Sequence, residues 1–341
     1  MRTFTVGFPD ARYDERRYAR AVAERWGTRH EEVVLEPDAA ATLPRLAEAY
    51  DEPLGDDAAL PLFLICEAAR RHVTVALVGD GGDESFAGYE RYAAHELAAR
   101  LPSRPAAAGA RLLRALPRAA EQRSAAVRAA RFLDAAAAPP AHRYGRLMEV
   151  FSPAQRVALW SDEALAALAP LRRADELLGV PPEPGIRGLQ RLDAETYLPC
   201  DLLPKSDIAS MAHSLELRSP FLDHRVVELG LSLPDSLRMR GRTGKLALRR
   251  AFAAELPELV ARGGKRGFGV PLARWFRGEL RALADDVLLA SPLLRRDAVE
   301  TLLEEHGAGR ADHGRRLWCL LMLELWQQRY AAARPAFAAV A

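Results

Sequence analysis

A short acidic and glycine-rich loop is the stretch of this sequence whose residue types most clearly suggest chemistry. The sequence GDGGDE, Gly79 to Glu84, follows an apolar run and precedes a helical pattern. Glycines let a backbone approach a phosphate closely, and the N–H groups at a helix start attract anions. The acids Asp80, Asp83 and Glu84 would repel phosphate unless a divalent cation such as Mg²⁺ lay between them. The loop therefore predicts either a Mg²⁺–nucleotide site or a plain turn in which Asp83 caps the helix.

Two other acidic stretches are candidates for function. YDEPLGDDAALP, residues 50–61, contains four acids and is either a solvated turn or a loop that faces a substrate. Further along, LELRSPFLDH contains Glu216 and Arg218, which could pair with each other as a buried structural couple.

Lysine is rare in this arginine-rich chain, which has only Lys205, Lys245 and Lys265. A lysine that is retained in such a composition is a candidate for a specific role. Lys265 lies between glycines in ARGGKRGFGVPLARWF. There it could close over the negative charge of a transition state, or it could be a solvent-exposed lysine in a loose connection.

The elements that must position these residues form an alternating pattern. Strands are predicted at 3–8, 30–36 and 73–78, and helices at 13–26, 43–50, 61–72 and 84–100. Such alternation predicts an α/β fold with an open parallel sheet. The run VTVALV at 73–78 is uninterrupted and apolar, which is typical of a strand buried on both faces. Ligands bind at the carboxyl ends of such strands, where the GDGGDE loop begins.

The second half of the chain is predicted to be mainly helical. Residues 101–141 are rich in Ala, Arg and Pro, and we expect helices there that are broken at Pro105, Pro117 and Pro139. Later helices are predicted at 187–200, 206–214, 245–255, 295–305 and 312–333. The resulting division is an α/β sheet region at 1–100 and a helical remainder at 101–341.

The bulk composition excludes several classes of protein. The net charge of +2 gives no indication of a nucleic-acid or membrane partner. Cys66, Cys200 and Cys319 are scattered, so neither a zinc site nor a disulfide framework is predicted. No apolar stretch approaches the roughly 18–20 residues of a membrane span, and the start does not resemble a signal peptide. We expect a soluble cytoplasmic protein.

Six motifs in order resemble the synthetase domain of asparagine synthetase (glutamine-hydrolysing), within the N-type ATP-pyrophosphatase group. They are TFTVGF, YDEP, GDGGDESFAGYERY, SMAHSLELRSPFLDHR, KRGFGVPLARWFRGEL and RLWCLLMLELW. The resemblance implies a parallel sheet of the adenine-nucleotide alpha-hydrolase (HUP) type. It also implies an ATP-dependent, amide-forming ligase that adenylates an aspartate-like carboxylate with Mg²⁺ and ATP, after which ammonia displaces AMP.

The resemblance assigns five residues to the nucleotide and its metal ion. Val6 and Gly7 would lie against adenine, and Val78 and Gly79 would contact the ribose and the α-phosphate. Asp83 would hold Mg²⁺ on the pyrophosphate side.

It assigns five more residues to catalysis and to the acceptor acid. Asp80 would act in formation of the intermediate or in ammonia attack, and Glu216 resembles the acid of a catalytic dyad. Lys265 would stabilise the adenylation transition state. Asp51 and Glu52 would border the amino-acid substrate.

Three residues depart from the family's motifs. Val78 stands where serine is common before GDGGDE, Ile208 stands where KxDRAS has arginine, and Ala87 replaces a glycine of FGGY.

The larger expected departure is N-terminal. The glutaminase domain, the SGG-x-DS pyrophosphate loop and the first central strand of the sheet are not in this sequence. We therefore expect the strands at 3–8 and 73–78 either to pair directly or to leave a strand-sized gap.

Three origins are weighed for that start: a start codon assigned too far downstream, a decayed fragment, or a split gene whose partner supplies the missing part. An alternative function is accordingly a non-catalytic remnant or a partner subunit, with an upstream-encoded glutaminase and pyrophosphate-loop segment as the other half.

Overall fold

A parallel pair of strands opens the fold. The computed structural model describes residues 1–34, 39–115, 125–168, 177–263 and 269–330. Strand β1 (Arg2–Gly7) pairs in parallel with β2 (Arg29–Val34), and helix α1 (Arg16–Trp26) connects them. Helix α1 ends at Gly27, whose left-handed conformation directs its N–H to the Ala23 carbonyl. The strand–helix–strand prediction for this segment is confirmed. The last two residues predicted for the second strand, 35 and 36, lie outside the described residues.

A second parallel pair lies further along the chain. Helices α2 (Ala39–Ala49) and α3 (Ala59–Arg70) lead to β3 (Val75–Leu77), which pairs with β4 (Glu216–Arg218). The prediction that this apolar strand is buried on both faces is wrong, because Val75 is 39% and Leu77 is 62% exposed. Alternate residues of a strand face the same side, so one face of β3 is apolar and open to solvent.

The two pairs of strands are separate sheets over a shared helix. Among the described residues β1 pairs only with β2, and β3 only with β4, so the direct-pairing alternative is wrong. Phe4 of β1 and Ala76 of β3 nevertheless pack in one cluster with Cys66 and Ala69 of α3. An open depression of about 440 Å³, lined by residues 70–75, adjoins the start of β3.

The rest of the described chain is mainly helical, as the sequence predicts. The first group of helices is α4 (Gly82–Ser85), α5 (Glu90–Ala99), α6 (Ser103–Ala115), α7 (Ala125–Ala137), α8 (Pro140–Met148), α9 (Pro153–Leu159) and α10 (Asp162–Leu168). The second group is α11 (Gly185–Glu195), α12 (Leu203–Met211), α13 (His224–Ser232), α14 (Asp235–Arg238), α15 (Leu246–Ala251), α16 (Glu258–Ala261), α17 (Leu272–Trp275), α18 (Arg281–Leu288), α19 (Arg296–Gly307) and α20 (Gly314–Tyr330).

Two helix predictions need correction. The helix predicted at 84–100 is in fact two, α4 and α5, because Ala87 between them has a left-handed φ of 53°. Pro105 does not break α6, because it is the third residue of that helix, where a backbone N–H has no partner within the helix to lose. Pro117 lies outside the described residues.

The largest hydrophobic cluster joins α2 and α3 to the C-terminal helices. Its buried members include Leu46, Phe63, Trp275, Trp318 and Leu321. Across the described ranges, no helix is long and apolar enough to cross a membrane.

Candidate functional site

The GDGGDE loop leaves the carboxyl end of β3 as a tight turn. The Val78 N–H donates a hydrogen bond to the Arg218 carbonyl at 3.0 Å, and Gly81, the residue before α4, has a left-handed φ of 81°. A side chain at Gly81 would also overlap Leu222, so glycine is required there. The hypothesis that Asp83 caps the helix is wrong, because Asp83 lies inside α4 and no side chain caps it.

Asp80 is held by two serines from later parts of the chain. Ser206 on α12 donates its hydroxyl hydrogen to Asp80 Oδ2 at 2.7 Å. Ser219, directly after β4, donates to the Asp80 carbonyl. The carboxylate of Asp80 therefore has a fixed orientation at the end of β3.

Asp83 is paired with Lys245, a residue that the sequence assigned no role. Lys245 Nζ lies 3.2 Å from Asp83 Oδ1, and the Lys245 N–H donates to the Phe86 carbonyl. Gly88 makes room for this pair, because a side chain there would collide with both Asp83 and Lys245. The scarcity of lysine was the one signal in the sequence that singled out Lys245.

The end of the loop is buried and tied to α11. Gln190 Nε2 donates to the carbonyls of Glu84 and Ser85 at 2.6 and 2.9 Å. Tyr89 donates its hydroxyl hydrogen to Glu84 Oε1 at 2.5 Å. Burial raises the pKa of Glu84, and the short hydrogen bond supplies the partner that a buried carboxyl needs.

A cluster of charged side chains adjoins Asp80 through Lys205, the residue before Ser206. Lys205 Nζ lies 2.5 Å from Asp56 Oδ2, and Arg315 Nε lies 3.9 Å from Asp57 Oδ1. Burial raises the pKa of Asp57, and burial with the charge of Asp56 raises the pKa of Asp201 to about 6. This charged cluster of both signs contradicts a simple solvated turn for the second half of the 50–61 loop.

The four residues predicted at the nucleotide differ in exposure. Val6 is 4% exposed and belongs to the main core, and Gly7 is buried against the Arg16 side chain. Val78 is half-buried, and Gly79 is exposed with open space beside its Cα. The structure thus places the second pair, but not the side chain of Val6, at an accessible surface.

The residues predicted to border the acceptor acid are exposed. Asp51 and Glu52 both lie on the surface, and the Asp51 carbonyl accepts a hydrogen bond from Trp326 Nε1 at 2.9 Å. Lys265 lies outside the described residues.

Glu216 pairs with Arg218 rather than with the loop. Arg218 Nε donates to Glu216 Oε1 at 2.7 Å, so the predicted pairing is confirmed. The predicted burial is wrong, because the side chains of Arg218 and Glu216 are 63% and 54% exposed. Glu216 lies opposite Val75, the first residue of β3, whereas Asp80 follows the end of that strand. Its catalytic role stays a prediction.

Two of the three departures from the motifs have a structural consequence. Ile208 is partly buried and packs against the main core, a position in which it supplies apolar contact instead of charge. Ala87 has the left-handed conformation that glycine adopts without strain, which gives the physical reason for a glycine in the motif.

The loop has the donor chemistry that Mg²⁺ prefers, but only part of a ligand set. Asp80 and Asp83 offer carboxylate oxygens from one turn, which is how Mg²⁺ is held when phosphates and water complete its shell. In the described part of the chain, no group of three or more His, Cys, Asp or Glu residues could hold a metal ion. The residues present therefore fit Mg²⁺ that is shared with a phosphate ligand.

Comparison with known proteins identifies the family. The sequence model of the asparagine synthase family matches residues 1–328. Asparagine synthetase (glutamine-hydrolysing) 1 of Bacillus subtilis is 32% identical over 339 residues, covering 96% of this chain and 52% of that protein. A protein of Mycobacterium tuberculosis is 36% identical over 338 residues, covering 95% of this chain and 50% of that protein.

A shorter match reaches a vertebrate. Chicken asparagine synthetase (glutamine-hydrolysing) is 36% identical over 118 residues, which cover 32% of this chain and 21% of that protein. The family model and the named relatives place the chain in a family of ligases. It belongs to the asparagine synthase family, and it spans about half the length of the Bacillus subtilis and Mycobacterium tuberculosis relatives.

Proposed function

We propose that this chain carries the synthetase site of an ATP-dependent, amide-forming ligase of the asparagine synthetase type. The site would adenylate the carboxylate of an aspartate-like acid and release pyrophosphate, and ammonia would then displace AMP. The observation that carries the proposal is the loop itself. One glycine turn at the end of a parallel strand presents Asp80 and Asp83, with the Lys245 ammonium 3.2 Å from Asp83.

The proposed architecture is a HUP-type sheet without its first central strand. The pairs β2–β1 and β3–β4 would be the two sides of that sheet, with all strands parallel. The shared packing on α3 and the separate pairing of β1 with β2 and of β3 with β4 among the described residues support a strand-sized gap between them.

The nucleotide would lie along the carboxyl ends of β1 and β3. Val6 and Gly7 would approach adenine through their backbone, because the Val6 side chain is in the core. Val78 and Gly79 would contact the ribose and the α-phosphate, and the open space at Gly79 supports such an approach.

The charges at the loop suit pyrophosphate release. Asp83 would bind Mg²⁺, and Mg²⁺ when bound would neutralise negative charge on the phosphates. Lys245 would then turn from Asp83 toward phosphate oxygens, which adds a second cation to the one proposed at Lys265.

Asp80 would act where the acyl adenylate forms and ammonia attacks. Its orientation by Ser206 and Ser219 supports a role that needs a fixed carboxylate. Glu216 would assist as the second acid, and Asp51 and Glu52 would border the acceptor acid.

The test is exchange of radiolabelled pyrophosphate into ATP, with and without aspartate. The proposal predicts exchange that depends on aspartate and Mg²⁺ and is lost in Lys265→Ala and Asp83→Asn. A matched control is Asp162→Asn, whose side chain is 86% exposed and remote from the loop in sequence. Exchange that survives Asp83→Asn would contradict the proposal.

The separation of the two strand pairs in the described part of the chain favours a second candidate, in which the chain is one part of a two-part enzyme. Its partner would be an upstream-encoded polypeptide with the glutaminase and pyrophosphate-loop segment, whose strand would fill the gap. Exchange that appears only after both polypeptides are combined would favour this candidate. Absence of exchange in both preparations would favour a non-catalytic remnant.

A further inference from the structure

A buried polar network lies behind the GDGGDE loop and is not needed for any of the roles proposed above. Its centre is Asp193 on α11, which is fully buried. Asp193 Oδ2 accepts hydrogen bonds from Arg91 Nη2 at 2.6 Å and from the hydroxyls of Tyr92 and Tyr144, both at 2.7 Å. Arg91 and Tyr92 belong to α5 and Tyr144 to α8, so one carboxylate joins three helices.

The network reaches the loop through Arg91 and Tyr89. The Arg91 guanidinium carbon lies 3.5 Å from the centre of the Tyr89 ring and 4.7 Å from that of Tyr197, so its charge lies against both rings. Tyr89 in turn donates to Glu84 Oε1, and Glu84 directly follows Asp83. A continuous chain of contacts therefore runs from Asp193 to the residue beside the predicted metal ligand.

A purely space-filling role would not require this chemistry. A buried carboxylate and a buried guanidinium are costly unless both are well paired, and apolar side chains fill a core without that cost. Directional hydrogen bonds instead fix where each partner lies. Gln190, one turn before Asp193 on α11, already holds the loop backbone, so the Asp193 route adds control of the Glu84 side chain.

We propose that Asp193 is a positioning residue, which fixes Arg91 against Tyr89 and thereby holds Glu84 and the adjoining Asp83 in place. The network does not contact the nucleotide. The expected consequence for metal binding rests on the proposed function. The inference that Asp193 holds the loop does not.

Hydrogen exchange of the peptide spanning residues 79–88 tests the hold on the loop. Asp193→Asn removes the charge that fixes Arg91, and Tyr89→Phe removes only the hydroxyl that reaches Glu84. Both variants should speed exchange in this peptide, by about tenfold for Asp193→Asn. Tyr92→Phe is the matched control, because it removes one hydrogen bond to Asp193 and leaves the route through Arg91 intact. Equal exchange in all four proteins would overturn the proposal.

Binding of Mn²⁺ with ATP tests the consequence for the metal. Loss of an outer-shell partner typically weakens metal affinity 10- to 100-fold. Asp193→Asn and Tyr89→Phe should weaken Mn²⁺·ATP binding by about tenfold and leave binding of metal-free ATP unchanged, whereas Tyr92→Phe should match the wild type. Unchanged Mn²⁺·ATP affinity in Tyr89→Phe, which is expected to fold, would overturn the positioning role.

The two readouts separate this inference from the proposed function. A wild-type chain that binds no Mn²⁺·ATP would contradict the proposed function. The difference in hydrogen exchange between the variants would then still decide whether Asp193 holds the loop. A wild-type chain that binds Mn²⁺·ATP, with all variants alike, would contradict the inference alone.

Discussion

Strand β3 and the loop that follows it are neighbours in sequence but are held in opposite ways. The strand leaves Leu77 62% exposed on an open face. The loop and α4 are buried from Gly81 to Gly88 except at Asp83, which is half-buried. The contacts that hold the loop come from Gln190, Ser206 and Ser219, each more than a hundred residues further along the chain.

This difference indicates that the helical part of the chain organises the candidate site. In an open parallel sheet, ligands bind at the carboxyl ends of the strands, so the loop at such an end must be held in place. Here the two pairs of strands are separate, and Asp80 is held by Ser206 of α12 and by Ser219 directly after β4, while Asp83 is paired with Lys245. The site can therefore be ordered even where the sheet is open.

The largest expected effect tests the helical core. Trp318→Ala removes a fully buried side chain from α20 and should lower the free energy of unfolding by about 3–5 kcal/mol. Chemical denaturation measures this change. The control is Trp26→Ala, whose side chain is 59% exposed and should change stability by less than about 0.5 kcal/mol. Similar losses in both variants would contradict the contrast between core and surface.

The next effect tests the link between α11 and the loop. Gln190→Leu leaves the buried carbonyls of Glu84 and Ser85 without this donor, and we expect a loss of about 2 kcal/mol in unfolding free energy. Denaturation with hydrogen exchange of residues 79–88 measures it. Arg191→Leu on the same helix is the control, because its side chain is 46% exposed. A Gln190→Leu protein as stable as this control would contradict the claim that Gln190 of α11 holds the loop.

A pH-dependent effect is expected at the charged cluster beside Asp80. The pKa of Asp201 is raised to about 6 by burial, so the folded protein binds a proton that the unfolded chain releases above its ordinary value of 3.8. Stability should therefore fall as pH rises between about 4 and 6, by at most about 1.4 kcal/mol per pH unit. Asp56, Lys205, Arg315 and Arg91 act on the same group.

Asp201→Asn should remove that decline, so the difference in stability between variant and wild type should grow with pH across this range. Unfolding free energies measured at several pH values provide the test, with the exposed Asp162→Asn as the control. Parallel stability curves for Asp201→Asn and the wild type would rule out the raised pKa.

The smallest effect concerns the entry to β4. Ser214 is exposed and has a left-handed φ of 56°. Ser214→Gly should stabilise the fold by about 0.5–1 kcal/mol, because glycine adopts this conformation without the steric penalty. Ser214→Ala keeps the Cβ and should give no gain. A gain from alanine equal to that from glycine would show that backbone strain is not the cause.

The elements that depend on residues close together in the sequence could be predicted from local patterns. The strand–helix–strand start was readable from β-branched runs and helical spacing, and the resemblance to the family is confirmed. The break at Ala87 was not predicted, although the glycine of FGGY that Ala87 replaces is the residue type that adopts positive φ without strain. Strand β4 was missed because three residues with exposed charged ends carry little periodicity.

Contacts between distant residues account for the rest of the site. Asp193, Gln190 and Ser206 lie in ordinary helical sequence, and nothing local marks them as partners of a loop more than a hundred residues away. Lys245 could be suspected from the rarity of lysine, but its pairing with Asp83 depends on the fold. The carboxylates were recognisable from the sequence, whereas the groups that orient them were not.

Equilibrium titration with ATP, in the presence and absence of Mg²⁺, tests most directly whether the GDGGDE loop is a Mg²⁺–nucleotide site. The wild-type chain should bind ATP more tightly with Mg²⁺ than without it, and Asp83→Asn should abolish that difference. Asp162→Asn, a change at an exposed acid remote from the loop in sequence, should leave it intact. No binding by the wild type, or an Mg²⁺ dependence that survives Asp83→Asn, would contradict the account.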